Sequence, residues 1–340
     1  MHADPVRTAR KAEHLEAASS PEAVHHGGSG LDRVRLRHRA LPGRDLADVD
    51  LAVDLLGRRL EAPLVVSAMT GGSEASRAVN LELLEAAAEH GAAMILGSSR
   101  ALVDDPGLVG TYVPTAARPP LLLANLGASH LVQGLAVDEA ERIIELVGAD
   151  GLALYLNPLQ EAVQPEGHPE LGGAIELIAD LVERLRPLPV LVKEIGFGLD
   201  PEDVALLADA GVAAVDVAGA GGTNWALVEG LRDPDARALA APFADWGIPT
   251  ADALRSAVQV AGLRVPVIAS GGVRDGVDVA RCLALGATAA GIARPMLLAA
   301  RAGTAAAALG TIVEQLRVAT WCAGAPAARA LGPEHLRPGA

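Results

Sequence analysis

The sequence predicts a (β/α)8 barrel, and three observations carry that prediction. From about Ala62 onward a short apolar run recurs eight times, at Leu64–Ser67, Ala92–Leu96, Leu121–Asn125, Gly151–Leu156, Val190–Glu194, Ala213–Ala218, Val267–Ser270 and Ala289–Ala293. Each run ends in a Gly-rich or polar turn, and an Ala/Leu-rich amphipathic segment follows most of them. The runs are apolar throughout rather than alternating, as strands covered on both faces must be. Eight such units close most simply into a barrel, and 340 residues suit one large domain of that kind.

The elements follow in order. Helical periodicity lies between the runs at Arg77–Glu89, Val137–Leu146, Ile175–Arg186, Pro201–Ala210, Ala251–Ala261 and Gly276–Leu285. Hydrophobic residues make up 51% of the chain and aromatics only 2%, so the core is built from Ala, Val, Leu and Ile. Residues 1–61 form an N-terminal extension and residues 62–340 the barrel with its tail. A long insertion, Gly230–Thr250, separates strands six and seven, and the tail after Arg301 reads as helix to about Ala323. An open doubly wound sheet would need a phosphate fingerprint after the first strand; the stretch Gly219–Gly222 follows the sixth.

Net charge is −14, with no run of Lys or Arg, which argues against a nucleic-acid partner. The two cysteines, Cys282 and Cys322, lack metal or redox spacing and read as reduced thiols of a cytoplasmic protein. Met1–Asp32 is charged and lacks the apolar core of a signal peptide. No uninterrupted apolar stretch is long enough to suggest a membrane span.

A barrel places its chemistry at the C-terminal ends of its strands. Strand seven leads into Ser270-Gly271-Gly272 and strand eight into Gly291-Ile292-Ala293-Arg294, a pair of turns whose backbone N–H groups suit a phosphate, with Arg294 adding charge. After strand one come Ala68, Met69 and Thr70, small and flat enough for an isoalloxazine ring; Ser98 ends strand two and Asn125 ends strand three. These residues point to flavin mononucleotide (FMN). Lys193, in an apolar strand, either faces an anionic flavin edge or pairs with Asp216 on strand six, and the two are compatible. The turn Gly219–Trp225 offers further donors, including Thr223, though a flexible helix lead-in would look the same. The strand-four segment Asn157–Gly167 reads as a loop of amides and carboxylates whose oxygens suit Mg²⁺ bridging a substrate phosphate. Arg10, Lys11 and His14 fall on one helical face and could clamp a diphosphate; a solvated surface is the alternative.

Taken together, the chain resembles the type 2, FMN-dependent isopentenyl-diphosphate delta-isomerases over nearly its whole length. The resemblance rests on Arg10-Lys11-x-Glu13-His14, Ala68-Met69-Thr70-Gly71-Gly72, Asn157-Pro158-Leu159-Gln160-Glu161, Val192-Lys193-Glu194-x-Gly196, Gly219-Ala220-Gly221-Gly222-Thr223-x-Trp225 and Trp246-Gly247-Ile248-Pro249-Thr250. It implies an isomerase that moves a double bond between isopentenyl and dimethylallyl diphosphate. Reduced FMN would act as acid and base, NADPH as its reductant and Mg²⁺ as the diphosphate's counterion. By position, the resemblance implies that Glu161 holds Mg²⁺ and Gln160 sits beside the reacting carbon. Arg10, Lys11, Ser99, Arg100 and Asn157 would hold the diphosphate. Thr70, Ser98, Asn125, Lys193, Thr223, Gly271, Gly272, Ala293 and Arg294 would hold the flavin, with Trp225 and Glu229 shaping the site. It also implies a homo-oligomer, tetramer or octamer. The chain departs from the family at Tyr155, usually His; at Ser99, usually Gln; and at His168-Pro169, usually Asp-Arg. Two other readings share the same turns. An FMN-dependent 2-hydroxy-acid oxidoreductase would need a His base, which Gly219–Trp225 lacks. A non-catalytic flavin-binding paralogue would fit the departures but not the retained Gln160-Glu161 pair.

Overall fold

A computed structural model describes residues 5–261 and 264–337, with the side chains of residues 5–10 outside the description. Eight parallel strands close a barrel in chain order. They are β1 (Leu64–Val66), β2 (Ala93–Ile95), β3 (Leu122–Gly127), β4 (Gly151–Tyr155), β5 (Val190–Lys193), β6 (Ala214–Asp216), β7 (Val267–Ala269) and β8 (Ala289–Ile292). Closure sets Gly291 of β8 opposite Val65 and Ile292 opposite Val66 of β1. All eight apolar runs are therefore strands.

The continuous hydrophobicity of the strands divides by alternation into two cores. Val65, Ile95, Leu123, Ala153, Leu191 and Ile268 fill the barrel interior. Leu64, Val66, Met94, Leu152, Leu154 and Val192 face outward and pack under the helices. Leu55 and Leu60 join the interior core from an antiparallel hairpin, Val53–Leu55 with Arg58–Leu60, whose Arg58 pairs with Asp150 just ahead of β4. The hairpin thus plugs the end of the barrel opposite the strand C-termini, where sequence reading found only an extension.

The six anticipated helices form with boundaries shifted by a few residues at most. The first starts at Glu74 because the Ser73 side chain caps it, accepting the Ser76 N–H. The tail helix ends at Ala323, where Gly324 takes the left-handed conformation. Two segments are more ordered than expected. The insertion folds as helices Trp225–Arg232 and Pro234–Ala240, joined at Asp233, whose carboxylate caps the second. The strand-four segment, read as a loop, is a short helix, Pro158–Val163, opened by proline at its first turn.

The N-terminal extension lies across the strand C-terminal ends. Its helix, Pro5–Ser19, packs on Trp225–Arg232. Its continuation is stitched to the turn after β6 by His25 N–H to Gly222 O (2.8 Å) and Asn224 N–H to Ala23 O (2.8 Å).

Candidate active site

A cavity of about 620 Å³ opens at the C-terminal ends of the strands. Every strand contributes to its wall, through Ser67, Ser98, Asn125, Tyr155, Lys193, Ala218, Ser270 and Gly291 at or just past the strand ends. The chain's low aromatic content leaves Trp225 as the lone tryptophan among the described lining residues, set edge-on to His14 at 5.8 Å.

One half of the cavity is backbone. The turns after β6, β7 and β8 bring Gly222, Gly271, Gly272 and Ala293 together, and Ala293 begins the helix Arg294–Arg301. Gly271 has φ +100°, and a Cβ there would lie 1.9 Å from the Gly219 carbonyl oxygen. Only glycine fits. Gly271→Ala is expected to destabilise the protein by about 2 kcal/mol or more and to empty the cofactor site, as read by thermal unfolding and bound flavin absorbance. An unchanged melting temperature would contradict this account of the turn.

Of the two roles left open by sequence, the pairing of Lys193 with Asp216 is present, and it leaves Lys193 at the cavity wall. Lys193 Nζ lies 3.6 Å from Asp216 Oδ2 and also borders the cavity. Asp216 is fully buried and accepts the Ser270 hydroxyl at 2.7 Å and the Ala218 N–H at 3.1 Å. Four buried polar atoms of lining residues, Ser67 Oγ, Asn125 Oδ1, Asn157 Oδ1 and Thr223 Oγ1, have no hydrogen-bond partner within the protein. Buried polar groups are normally satisfied, so these atoms call for a polar ligand. A flat ring with carbonyl and N–H edges and a terminal phosphate fits this donor set.

Beside Lys193, the buried Glu194 gathers the N–H groups of Ile195 (2.6 Å), Gly196 (2.6 Å) and Phe197 on one oxygen. Burial pushes its carboxyl up to about 7 against those hydrogen bonds and the Lys193 charge. A carboxyl raised in the folded state contributes stability at acid pH that is lost as pH rises through about 7. The stability of the native protein is therefore expected to fall, relative to Glu194→Gln, between pH 4.5 and about 7. Parallel unfolding curves for the two proteins across that interval would overturn the assignment.

The other half is a network of amides and carboxylates. Asn157 Nδ2 donates to Gln160 Oε1 (3.1 Å) and Glu161 Oε1 (2.9 Å). Glu161 Oε2 accepts the His168 N–H at 2.8 Å. Gln160 Nε2 donates to Glu229 Oε1 at 2.7 Å, and the same oxygen lies 2.8 Å from His14 Nε2. Arg232 closes on the other oxygen of Glu229 and on Glu13 and Glu166. Burial alone would raise the Glu229 carboxyl; the hydrogen bonds from His14 and Gln160 and the Arg232 charge outweigh it and hold the group below its ordinary value. Lys11 Nζ donates to Ser98 O (3.1 Å) and Tyr112 Oη (2.8 Å), so this cation turns inward and is not part of a solvated face.

Of the anticipated site residues, Lys11, His14, Ala68, Met69, Thr70, Ser98, Arg100, Asn125, Asn157, Gln160, Glu161, Lys193, Thr223, Trp225, Gly271, Gly272, Ala293 and Arg294 all line this one cavity. Ser99 does not. It is fully buried and its hydroxyl donates to Gly97 O at 3.2 Å, because the turn aims Ser98 and Arg100 at the cavity and the residue between them at the core. The Arg10 side chain lies outside the described residues. Arg294 lines the cavity beside the glycine turns but also donates to Ala18 O (3.3 Å) and Ser19 O (2.9 Å), fastening the N-terminal helix. Sequence reading missed His130 and Gln133, which line the cavity just beyond β3. Their signal was a polar pair soon after a strand end. Among the described residues no three His, Cys, Asp or Glu side chains are grouped to hold a metal ion, and no helix is long and apolar enough to cross a membrane.

Backbone donors after the last strands, a buried lysine at the strand-five end and an orphaned polar rim define a barrel that holds a phosphorylated, ring-bearing cofactor. The family profile of FMN-dependent dehydrogenases matches residues 9–103 and 162–338. An isopentenyl-diphosphate delta-isomerase of Stutzerimonas stutzeri is 47% identical over 93% of this chain and 92% of its own length. Its namesake in Methanothermobacter thermautotrophicus is 43% identical over 93% and 89%. The chain belongs to the FMN-dependent dehydrogenase family and, within it, to the isopentenyl-diphosphate delta-isomerases. Solved structures of more distant proteins share the fold: a mandelate oxidase (TM-score 0.66, 21% identity, 99% of this chain and 98% of that one) and a mutant flavocytochrome b2 (0.68, 18%, 97% and 83%).

Proposed function

We propose that this chain interconverts isopentenyl diphosphate and dimethylallyl diphosphate. The observation that carries the reading is the buried array of Asn157, Gln160, Glu161 and Glu229, three of whose members share one cavity wall with the glycine turns. Ala68, Met69, Thr70, Ser98, Asn125, Lys193 and Thr223 would hold the flavin ring, and Gly271, Gly272, Ala293 and Arg294 its phosphate. When bound, reduced FMN supplies the proton donor and acceptor for the shift of the double bond. Glu161, with both oxygens oriented by N–H donors, would take Mg²⁺, which neutralises the diphosphate. Lys11, Arg100 and Asn157 would hold the diphosphate's outer oxygens, with Arg10 and His14 on the same helix. Gln160, held by Asn157 and Glu229, would fix the face of the alkene. Trp225 and the apolar stems around it exclude water from a carbocation-like transition state. A homo-oligomer, tetramer or octamer, completes the proposal.

The test is an anaerobic assay of the FMN-loaded protein with NADPH to reduce the flavin and Mg²⁺ to hold the diphosphate. Conversion of isopentenyl to dimethylallyl diphosphate with no consumption of NADPH beyond the one equivalent that reduces the flavin is the expected result. No turnover, or bleaching of the oxidised flavin by lactate or glycolate instead, would overturn the proposal.

A further inference from the structure

The β2–β4 side of the cavity carries two side chains with no role in the proposed function, His130 and Tyr155. His130 lies in the short helix Ala128–Val132 that starts directly after β3. Its Nδ1 accepts the Gly127 backbone N–H at 3.2 Å, so the ring's own hydrogen is on Nε2. The Tyr155 ring stands edge-on to His130, with centroids 6.3 Å apart and planes at 85°. Tyr155 is seated over Gly127, where a Cβ would come within 2.9 Å of its Cζ. Its hydroxyl donates to Ser98 Oγ at 3.2 Å, and Lys11 donates to Ser98 O at 3.1 Å. Arg100 borders the same wall. Two cations and a phenol thus lie about Ser98, the His130 imidazole stands edge-on to that phenol, and the carboxylate of Asp104 pairs with Arg100. Such a surface recognises an anion. An imidazole, that of His130, borders the cavity here beside the Tyr155 ring.

We propose that His130 is a specificity-determining binding residue for the phosphorylated substrate, donating from Nε2 to a diphosphate oxygen, with Tyr155 fixing the plane of its ring. The identity of the ligand rests on the isomerase reading; the donor role does not require turnover. Glutamine and glutamate at position 130 can both accept the Gly127 N–H and so cap the helix, but only glutamine also offers an N–H. A role confined to capping predicts that the two behave alike.

The experiment measures equilibrium binding of isopentenyl diphosphate with Mg²⁺ to the oxidised FMN holoenzyme, alongside kcat, KM and flavin content. His130→Ala and His130→Glu are expected to weaken binding and raise KM by about tenfold or more, the scale of one lost hydrogen bond to a charged group, with flavin content kept and kcat within about twofold. His130→Gln is expected to stay within about threefold of the native protein. Tyr155→Phe is expected to weaken binding less than His130→Ala, and the double variant less than the sum. Equal affinity in the Gln and Glu variants, or a loss of flavin that accompanies every loss of affinity, would overturn the proposal. Native protein that binds the diphosphate but never turns it over would sink the isomerase reading alone. Native protein that does not bind it would sink both.

Discussion

Replacing Glu161 with Gln is expected to lower Mg²⁺-dependent isomerase turnover on the order of 10²-fold while FMN stays bound. The substitution keeps the shape of the side chain and changes its charge. In the native protein, Oε1 accepts from Asn157 Nδ2 at 2.9 Å and Oε2 from the His168 N–H at 2.8 Å, so the carboxylate is held in one orientation before any ligand arrives. An amide can satisfy only one of those donors and offers a cation a much weaker ligand. The half of the cavity proposed to hold the flavin is built on other strands, which is why the cofactor should remain. A Mg²⁺ titration of activity, read beside flavin absorbance, checks both parts. Loss of FMN in the variant would place Glu161 on the wrong side of the cavity.

Lys193→Met is expected to have the largest effect on the protein as a whole. Asp216 is fully buried, and Lys193 is the cation beside it. Removing one partner of a buried pair leaves an uncompensated charge, at a cost of about 3–5 kcal/mol. Flavin should be lost as well, because Lys193 borders the cavity. The two losses separate in the double variant with Asp216→Asn. That protein is expected to recover most of its stability in denaturant unfolding and still fail to retain FMN. Recovery of both would mean that Lys193 acts only through Asp216.

The barrel was legible because its physics is local. A strand covered on both faces is apolar throughout, and each such run is closed by a turn, so all eight could be marked from residue type alone. The hairpin at residues 53–60 was not marked. It spans two short strands, and only its burial of Leu55 and Leu60 inside the barrel, a long-range fact, makes it an element. Pro158 was the overlooked sign that the strand-four segment begins a helix. At the site, strand ends located most residues, since topology fixes where they converge. Side-chain direction is finer. Nothing in Gly-Ser-Ser-Arg says that Ser98 faces the cavity and Ser99 the core. The partners of Glu229 lie at His14, Gln160 and Arg232, far apart in the chain, and only the folded packing joins them.

The attachment of the N-terminal helix has a consequence for the order in which the molecule is assembled. Arg294 grips the carbonyls of Ala18 and Ser19 across 276 and 275 residues of chain, and Arg301 takes Ser19 Oγ across 282. The helix Pro5–Ser19 lies mainly on Trp225–Arg232, but its C-terminal end is fastened only once the segment after β8 is in place. The segment that carries Lys11 and His14 is thus held by contacts of high sequence separation, so the roof of the cavity is expected to be completed late in folding.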